Sequence, residues 1–561
     1  MPTKVYDVIV VGSGITGGWA AKELSEKGLE TLVLEAGRPI DPDTDYVEHV
    51  PVWEKRFRGL GDRKRFDDDQ PIQQTCSGVD EWNCKFFVND RENPYTTDPG
   101  KPFLWIRGRH VGGRSIMWGR QSYRWSDLDF EANLREGIAI DWPIRYQDIA
   151  PWYDYVEDFI GVTGQTEGLP QLPDGKFLPP MEMTCAEVVV KDAIAKSFPN
   201  ERMMTIGRAA VLTKRHRGRA ACHYCGPCSR GCITRSYFSS LNSTLPAAQA
   251  TGKVTIRPHS VVHSVIFDSN TRKAAGVRVI DGQTREALEF RGRILFLCAS
   301  ALESARILLN SSTTEFPNGL ANSSGELGHN LMDHHMGAGA GGEMPGHEDK
   351  MPFGNRPNGI YVPRFRNVKT KQKEFLRGYG YQGGGSRDGW SSNAAKAGIG
   401  VEFKNSIKMP GPWRMGLGGF GECLPYHNNY VELDKEKLDA WGIPTLKINC
   451  AWGDNEHAMS RDIAVQAAEM LAAAGAKDIY VYQDISSPGL GIHEMGTARM
   501  GRDPKTSVLN EHNQTHDAKN LFMTDGACMT SAACVNPSLT YMALTARACD
   551  FAVSELKKNN L

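Results

Sequence analysis

The feature that most constrains this 561-residue chain lies at its start, where the β-branched run Val5–Val11 enters Gly12-Ser13-Gly14-Ile15-Thr16-Gly17. The run's continuous apolar part, Val8–Val11, reads as a parallel strand buried on both faces. A helical pattern through Trp19, Ala20, Ala21 and Leu24 follows, and a second strand, Thr31–Leu34, ends at Glu35. Strand, G-x-G-x-x-G, helix, strand and acid form a dinucleotide-binding unit in its required context. Gly12 makes the turn, Gly14 admits a pyrophosphate, and Gly17 lets the helix pack on the sheet. The helix N-terminus stabilises phosphate charge, and Glu35 is placed for the adenosine ribose hydroxyls. FAD and NAD share this unit, so the choice between them rests on downstream residues.

Net charge excludes some partners. Sixty-five Lys and Arg against 66 Asp and Glu leave a formal charge of −1, so no global field draws in nucleic acid or an anionic membrane. The most apolar stretches, Val8–Val11 and Ile294–Leu309, are too short or too charged to cross a bilayer. Chain length suits two interwoven domains better than one core.

Residues 105–124 read WIRGRHVGGRSIMWGRQSYR, and the Gly112-Gly113-Arg114-Ser115 turn resembles the second flavin-binding segment of the glucose–methanol–choline (GMC) oxidoreductases. Asp141-Trp142-Pro143 with Tyr146 and Tyr153, the stretch 298–304, Leu327–His334, His493–Gly501, Thr524-Asp525-Gly526 and Asn536-Pro537-Ser538 resemble further landmarks of that family, in its order. The resemblance implies an α/β fold, a Rossmann-type FAD-binding domain with an interleaved α+β substrate domain built on an antiparallel sheet. The expected FAD segments are 1–45, 100–150, 215–340 and 490–561, and the substrate segments 46–99, 151–214 and 341–489. Gly-rich stretches at 337–345 and 383–400 are expected as loops near the entrance.

Removing hydride from an alcohol carbon requires a base at the hydroxyl, and neutral imidazole suits that task. The resemblance makes His493 and Asn536 the catalytic pair, His493 as base and Asn536 orienting the same oxygen; many relatives carry a second histidine where this chain has Asn536. It implies FAD contacts from Gly12, Ser13, Gly14, Ile15, Thr16, Gly17, Glu35 and Ala36, and from Arg109, Val111, Gly112, Gly113, Ser115, Met117 and Trp118. Val262 is the expected adenine contact, Ala299 a further one, Asp525 and Gly526 bind the ribityl chain, and the Asn536-Pro537 backbone meets the pyrimidine edge. Some relatives attach the flavin to a histidine where this chain has Met117, so non-covalent FAD is expected. His110, His334 and His335 read as structural or supporting.

Four of the 13 cysteines fall in CHYCGPCSRGC, residues 222–232. The C-x2-C-x2-C-x3-C spacing is that of a ferredoxin run without its closing proline. Zinc sites usually draw cysteine pairs from separate arms, which makes an iron–sulfur cluster the better reading over zinc, disulfides or free thiols. Sugar dehydrogenases of the family hold a three-iron cluster on C-x5-C-x3-C, which selects Cys222, Cys228 and Cys232; Cys225 as a fourth ligand to a four-iron cluster stays open. Cys76 and Cys84 are spaced to pair across a loop.

An electron-carrying cluster implies a dehydrogenase. The chain is similar to the catalytic subunits of bacterial sugar and glucoside 3-dehydrogenases, which work with a small subunit and pass electrons to a cytochrome or quinone. The expected substrate is a sugar or glycoside, oxidised at a secondary hydroxyl such as C3 of a glucoside, with C1 of an aldose or C2 of gluconate as alternatives. An oxygen-using oxidase and a non-redox lyase are the competing readings. No apolar signal core precedes the first strand. The expected location is therefore periplasmic, by co-export with a signal-bearing small subunit, or else cytoplasmic.

Overall fold

A computed structural model describes residues 4–54, 62–389 and 398–561. Strand Val5–Val11 lies at the centre of a seven-stranded sheet, parallel to Thr31–Leu34 on one side and to Ala287–Leu297 on the other. Val8, Ile9, Val10 and Val11 are buried: Val8 and Val10 belong to a cluster with the helical residues Ala20, Leu24, Ala248 and Ala552, and Ile9 and Val11 to one that includes Val265, Val277 and Val279 of the antiparallel strands. Val254–Arg257 extends the parallel set beyond Thr31–Leu34, and Leu521–Met523 joins Leu295–Leu297 in parallel. The N-terminal half of Ala287–Leu297 instead runs antiparallel to Lys273–Asp281, which pairs with Ser260–Asp268. Helix Ile15–Glu26 follows the glycine turn, and the C-terminal helix Ser538–Lys557 packs along it.

This arrangement brings three distant parts of the chain to one edge. Gly12–Gly14, Cys298–Ser300 and Thr524–Gly526 all lie just past the carboxyl ends of neighbouring parallel strands, where open α/β sheets bind ligands.

The second sheet is antiparallel, in the order Lys477–Gln483, Ala338–Met344, Trp413–Glu422, Tyr379–Arg387, Ile360–Val362 and Thr205–Ile206, with His334–His335 paired to Glu422–Gly421. Helices Asp454–Ala473 and Cys185–Ser197 pack on it through Met459, Ile463, Ala467, Val190 and Ile194. A short sheet of Tyr430–Leu438, Pro444–Asn449 and Thr96–Thr97 completes the strand count that matters for the site.

Two expectations need correction. The glycines of 337–345 do not form an entrance loop: Ala338–Met344 is an interior strand, and it crosses the expected boundary at 340. Its glycines have a packing reason, since a Cβ on Gly339 or Gly341 would run into the phenols of Tyr482 and Tyr480 on the paired strand. Gly383–Gly385 likewise belongs to strand Tyr379–Arg387, while 390–397 lies outside the described residues. Cys76 and Cys84 are free thiols, and Cys84 is buried with its Sγ donating to the Glu81 carbonyl. Among the described residues, no helix is long and apolar enough to cross a membrane.

Candidate active site

A cavity of about 770 Å³ runs from the glycine turn to the antiparallel sheet. At its nucleotide end, Gly12 has φ +93°, a left-handed conformation that favours glycine, and a Cβ there would strike the Cys298 carbonyl. Gly17 is close-packed instead, with its missing Cβ aimed at the Gly12 carbonyl. Gly14 differs from both: a Cβ on it would meet no protein atom, so that space belongs to a ligand. No side chain caps the Ile15–Glu26 helix, and no acidic residue lies in its first turn. Its first amide protons are therefore free for a phosphate.

Glu35 accepts hydrogen bonds from Ser13 N–H (3.1 Å) and Oγ (2.6 Å) through one oxygen, and from Gly37 N–H (2.9 Å) through the other. A carboxylate has about four acceptor positions, so one place, on Oε1, remains for a ribose hydroxyl. Burial pushes its pKa up, against these hydrogen bonds. Ser13 Oγ also accepts from Gly112 N–H at 2.9 Å, which ties the two glycine turns together. Asp525 is held by Ser300 N–H, Ser304 Oγ and Ala527 N–H; burial pushes it up to about 6.

Among the expected cofactor residues, Gly12, Ser13, Gly14, Ile15, Thr16, Glu35, Ala36, Arg109, Gly113, Ser115, Met117, Trp118, Val262, Ala299, Asp525, Gly526 and Asn536 line this cavity. Gly17, Val111, Gly112 and Pro537 do not line it. Gly17 and Gly112 shape the turns from behind, Val111 packs in the sheet core, and Pro537 precedes the C-terminal helix. The set fits FAD in chemistry: an anion-binding helix end, a ribose carboxylate, and a long cavity leading away from them.

At the far end, His493 and Asn536 come together from different segments, with Asn536 Nδ2 3.4 Å from His493 Nε2. Gln382 Nε2 donates to Asn536 Oδ1 at 2.6 Å, which turns the amide NH2 toward His493. Behind His493 stands His334, Nδ1 to Nδ1 at 2.9 Å, and His334 Nε2 meets the Ala533 carbonyl at 2.8 Å. One oxygen of Asp333 accepts from the backbone N–H of both His334 (2.8 Å) and His493 (2.9 Å). The other accepts from Gly489 N–H (2.9 Å) and Gly491 N–H (3.0 Å). Phe420 packs against both imidazoles, 5.4 Å from His334 and 5.5 Å from His493 between ring centroids.

Burial holds His493 well below the ordinary histidine pKa, and the positive charge of Arg114 acts in the same direction. Burial also drives His334 down to about 4. Both rings are therefore neutral at pH 7, the state that a base requires. His110 and His335 take no part: each is buried, bonded to the Val111 carbonyl and to Met459 Sδ respectively.

Asp333, His334, Gln382 and Phe420 were not separable from the core by sequence. Asp333 and His334 sit in the Leu327–His334 landmark, but only the fold brings that segment behind His493. Gln382 sits in a Gly-rich run that gives no sign of a site.

Cys222, Cys225, Cys228 and Cys232 line a second, small cavity together with His223, Tyr237 and Asn355. Among the described residues, no group of three or more His, Cys, Asp or Glu is arranged to hold a metal ion. Four soft thiol donors on one short loop around one small cavity are, by chemistry, suited to zinc or to an iron–sulfur cluster. Burial raises Cys225 to about 11, and the other three thiols push it the same way.

Comparison with known proteins agrees with this geometry. Two family models described as GMC oxidoreductase match residues 6–336 and 425–545. The 2-methyl-1,2-propanediol dehydrogenase of Mycolicibacterium austroafricanum is 28% identical, over 97% of this chain and 94% of its own. The fructose dehydrogenase large subunit of Gluconobacter japonicus is 25% identical, over 99% of both chains. In fold, the chain is similar to pyridoxine 4-oxidase from Mesorbium loti, with TM-score 0.61 at 17% identity over 98% of this chain and 99% of that one. It is also similar to formate oxidase from Aspergillus oryzae RIB40, with TM-score 0.63 at 13% identity over 100% of both. With its dinucleotide cradle, its buried imidazole and both family models matched, the chain belongs to the GMC oxidoreductases and is an enzyme with their FAD-binding fold.

Proposed function

We propose that the protein is an FAD-dependent dehydrogenase of a neutral sugar, glycoside or related polyol. The carrying observation is a neutral imidazole and an oriented amide closing one end of a cavity whose other end is a nucleotide cradle. Bound FAD supplies the hydride acceptor, at N5. His493 takes the hydroxyl proton, and the Asn536 NH2 donates to the same oxygen, holding the alcohol between them. Two relatives support a polyhydroxylated substrate: fructose dehydrogenase is one, and the gluconate 2-dehydrogenase flavoprotein of Pantoea cypripedii, 24% identical over 97% of this chain and 92% of its own, is another.

The cavity wall supports that reading. Asn358 lines the cavity and donates through Nδ2 to the Gly207 carbonyl. Arg356, on the same wall, is already neutralised by Glu187 at 2.6 Å, which favours an uncharged sugar over an acid. The position oxidised is proposed as a secondary hydroxyl, C3 of a glucoside, with C1 of an aldose and C2 of gluconate as alternatives.

The Cys222–Cys232 loop is proposed to hold an iron–sulfur cluster through Cys222, Cys228 and Cys232, a three-iron centre, or with Cys225 as well, a four-iron one. Such a cluster supplies one-electron transfer, and a small partner subunit with a cytochrome or quinone acceptor completes the proposal. Export alongside that subunit, to the periplasm, goes with it. The test is anaerobic mixing of the FAD-loaded enzyme with a glucoside, glucose, fructose, gluconate and a 1,2-diol, followed by product analysis. Flavin bleaching by a neutral sugar, with slow oxygen use, is expected. Failure of all five to bleach the flavin would overturn the substrate class, and fast oxygen consumption without another acceptor would make the enzyme an oxidase.

A further inference from the structure

We infer that His334 is a positioning residue that sets the tautomer of His493, leaving the bare nitrogen of that ring on the cavity side. The inference deepens the proposed reaction and rests on that reading for its catalytic meaning.

The Ala533 carbonyl oxygen, 2.8 Å from His334 Nε2, only accepts, so His334 Nε2 carries the proton. His334 is fully buried and neutral at pH 7, so it has one ring proton, and its Nδ1 is a lone pair. That lone pair faces His493 Nδ1 at 2.9 Å. Two lone pairs at this separation would repel, so His493 Nδ1 carries the proton and donates it. His493 is neutral too, and its Nε2 is therefore bare. Nε2 is the nitrogen that approaches the Asn536 NH2 on the cavity side.

The backbone holds this polarity in register. Asp333 Oδ1 accepts from the N–H groups of both histidines, so the spacing between the rings is set by one carboxylate oxygen. Phe420 closes the side of both rings, and their T-shaped packing, at an interplanar angle of 87°, aims one ring edge at the other. When an alcohol gives its proton to His493 Nε2, the ring becomes a cation with both nitrogens protonated, and Nδ1–H remains donated to His334. No proton leaves through His334, because its Nε2–H ends at a carbonyl. His334 acts by orientation and by accepting from the developing cation, as a buried carboxylate does behind the base in hydrolytic triads.

The test reads the tautomer directly, by 15N spectra of histidine-labelled, FAD-loaded protein, with His493 assigned by comparison with His493→Gln. Wild type is expected to show His493 protonated at Nδ1 and bare at Nε2. His334→Leu removes the acceptor and should give a mixture of tautomers and slow alcohol-driven flavin reduction by about tenfold to a hundredfold or more. His334→Gln can donate to the Ala533 carbonyl and accept from His493 Nδ1, and should recover most of that loss. A wild-type His493 protonated at Nε2 would overturn the inference, and so would a His334→Gln rate as low as that of His334→Leu. If the leucine variant does not fold, the wild-type spectrum and the glutamine variant still decide. The spectra need no substrate, so an enzyme that no alcohol reduces would count against the proposed function, while the tautomer would still decide this inference.

Discussion

Asn536 and His493 approach one point from two separate segments of chain, Nδ2 to Nε2 at 3.4 Å, and the NH2 orientation of Asn536 is set by Gln382 at 2.6 Å. An alcohol oxygen placed between them donates to one nitrogen and accepts from the other.

Gln382→Ala is expected to leave FAD bound and slow flavin reduction by about tenfold. The substitution removes one hydrogen bond, worth about 1 kcal/mol, and frees the Asn536 amide to turn its oxygen toward the base. Rapid-mixing kinetics check this, and an unchanged rate would remove Gln382 from the site.

The pH dependence follows from burial. His493 must be neutral to accept a proton, and its folded pKa lies well below the ordinary value of 6.5. Flavin reduction should therefore stay level as pH falls through 6.5 and decline only on the more acid side. Asn536→Asp places a carboxylate beside His493, which favours the charged imidazole. The acid decline should then move to higher pH, the opposite direction from burial. Rates of anaerobic bleaching across pH, in both proteins, give the comparison.

Two glycines of the first turn should behave differently. Gly17→Val drives a side chain into the Gly12 carbonyl and should destabilise the fold itself. The Cβ of Gly14→Ala meets no protein atom, so the apoprotein should fold normally and bind FAD weakly. Thermal unfolding of the apoproteins and flavin titration separate the two effects.

The strand–turn–helix at residues 5–26 was legible because its signal is local: a β-branched run, three glycines and an apolar helix face within one stretch. The family landmarks carried His493 and Asn536 as well. The antiparallel sheet was harder to read. Its strand Ala338–Met344 is mostly glycine and alanine, small because tyrosines of the adjacent strand cross over it, and such a composition mimics a loop. The specific roles of His334 and Gln382 were illegible because they come from side-chain contacts with the loop residues His493 and Asn536, 159 and 154 positions away in sequence, and no local pattern records that.

The cysteine loop gives a further separation. Cys228→Ser should lose iron and most turnover with a membrane acceptor, about tenfold or more if the cluster carries the electrons, while flavin reduction without acceptor does not fall in parallel. Metal analysis of the wild type that returns zinc and no iron would remove the electron-transfer role.

The most direct test of the central claim is the rate of anaerobic flavin reduction by a sugar or polyol in FAD-loaded wild type and His493→Ala. Loss of the base should slow reduction by about 10²–10⁴-fold with the bound flavin spectrum intact. A His493→Ala enzyme that holds FAD and is reduced at nearly the wild-type rate would contradict the assignment of His493 as the base.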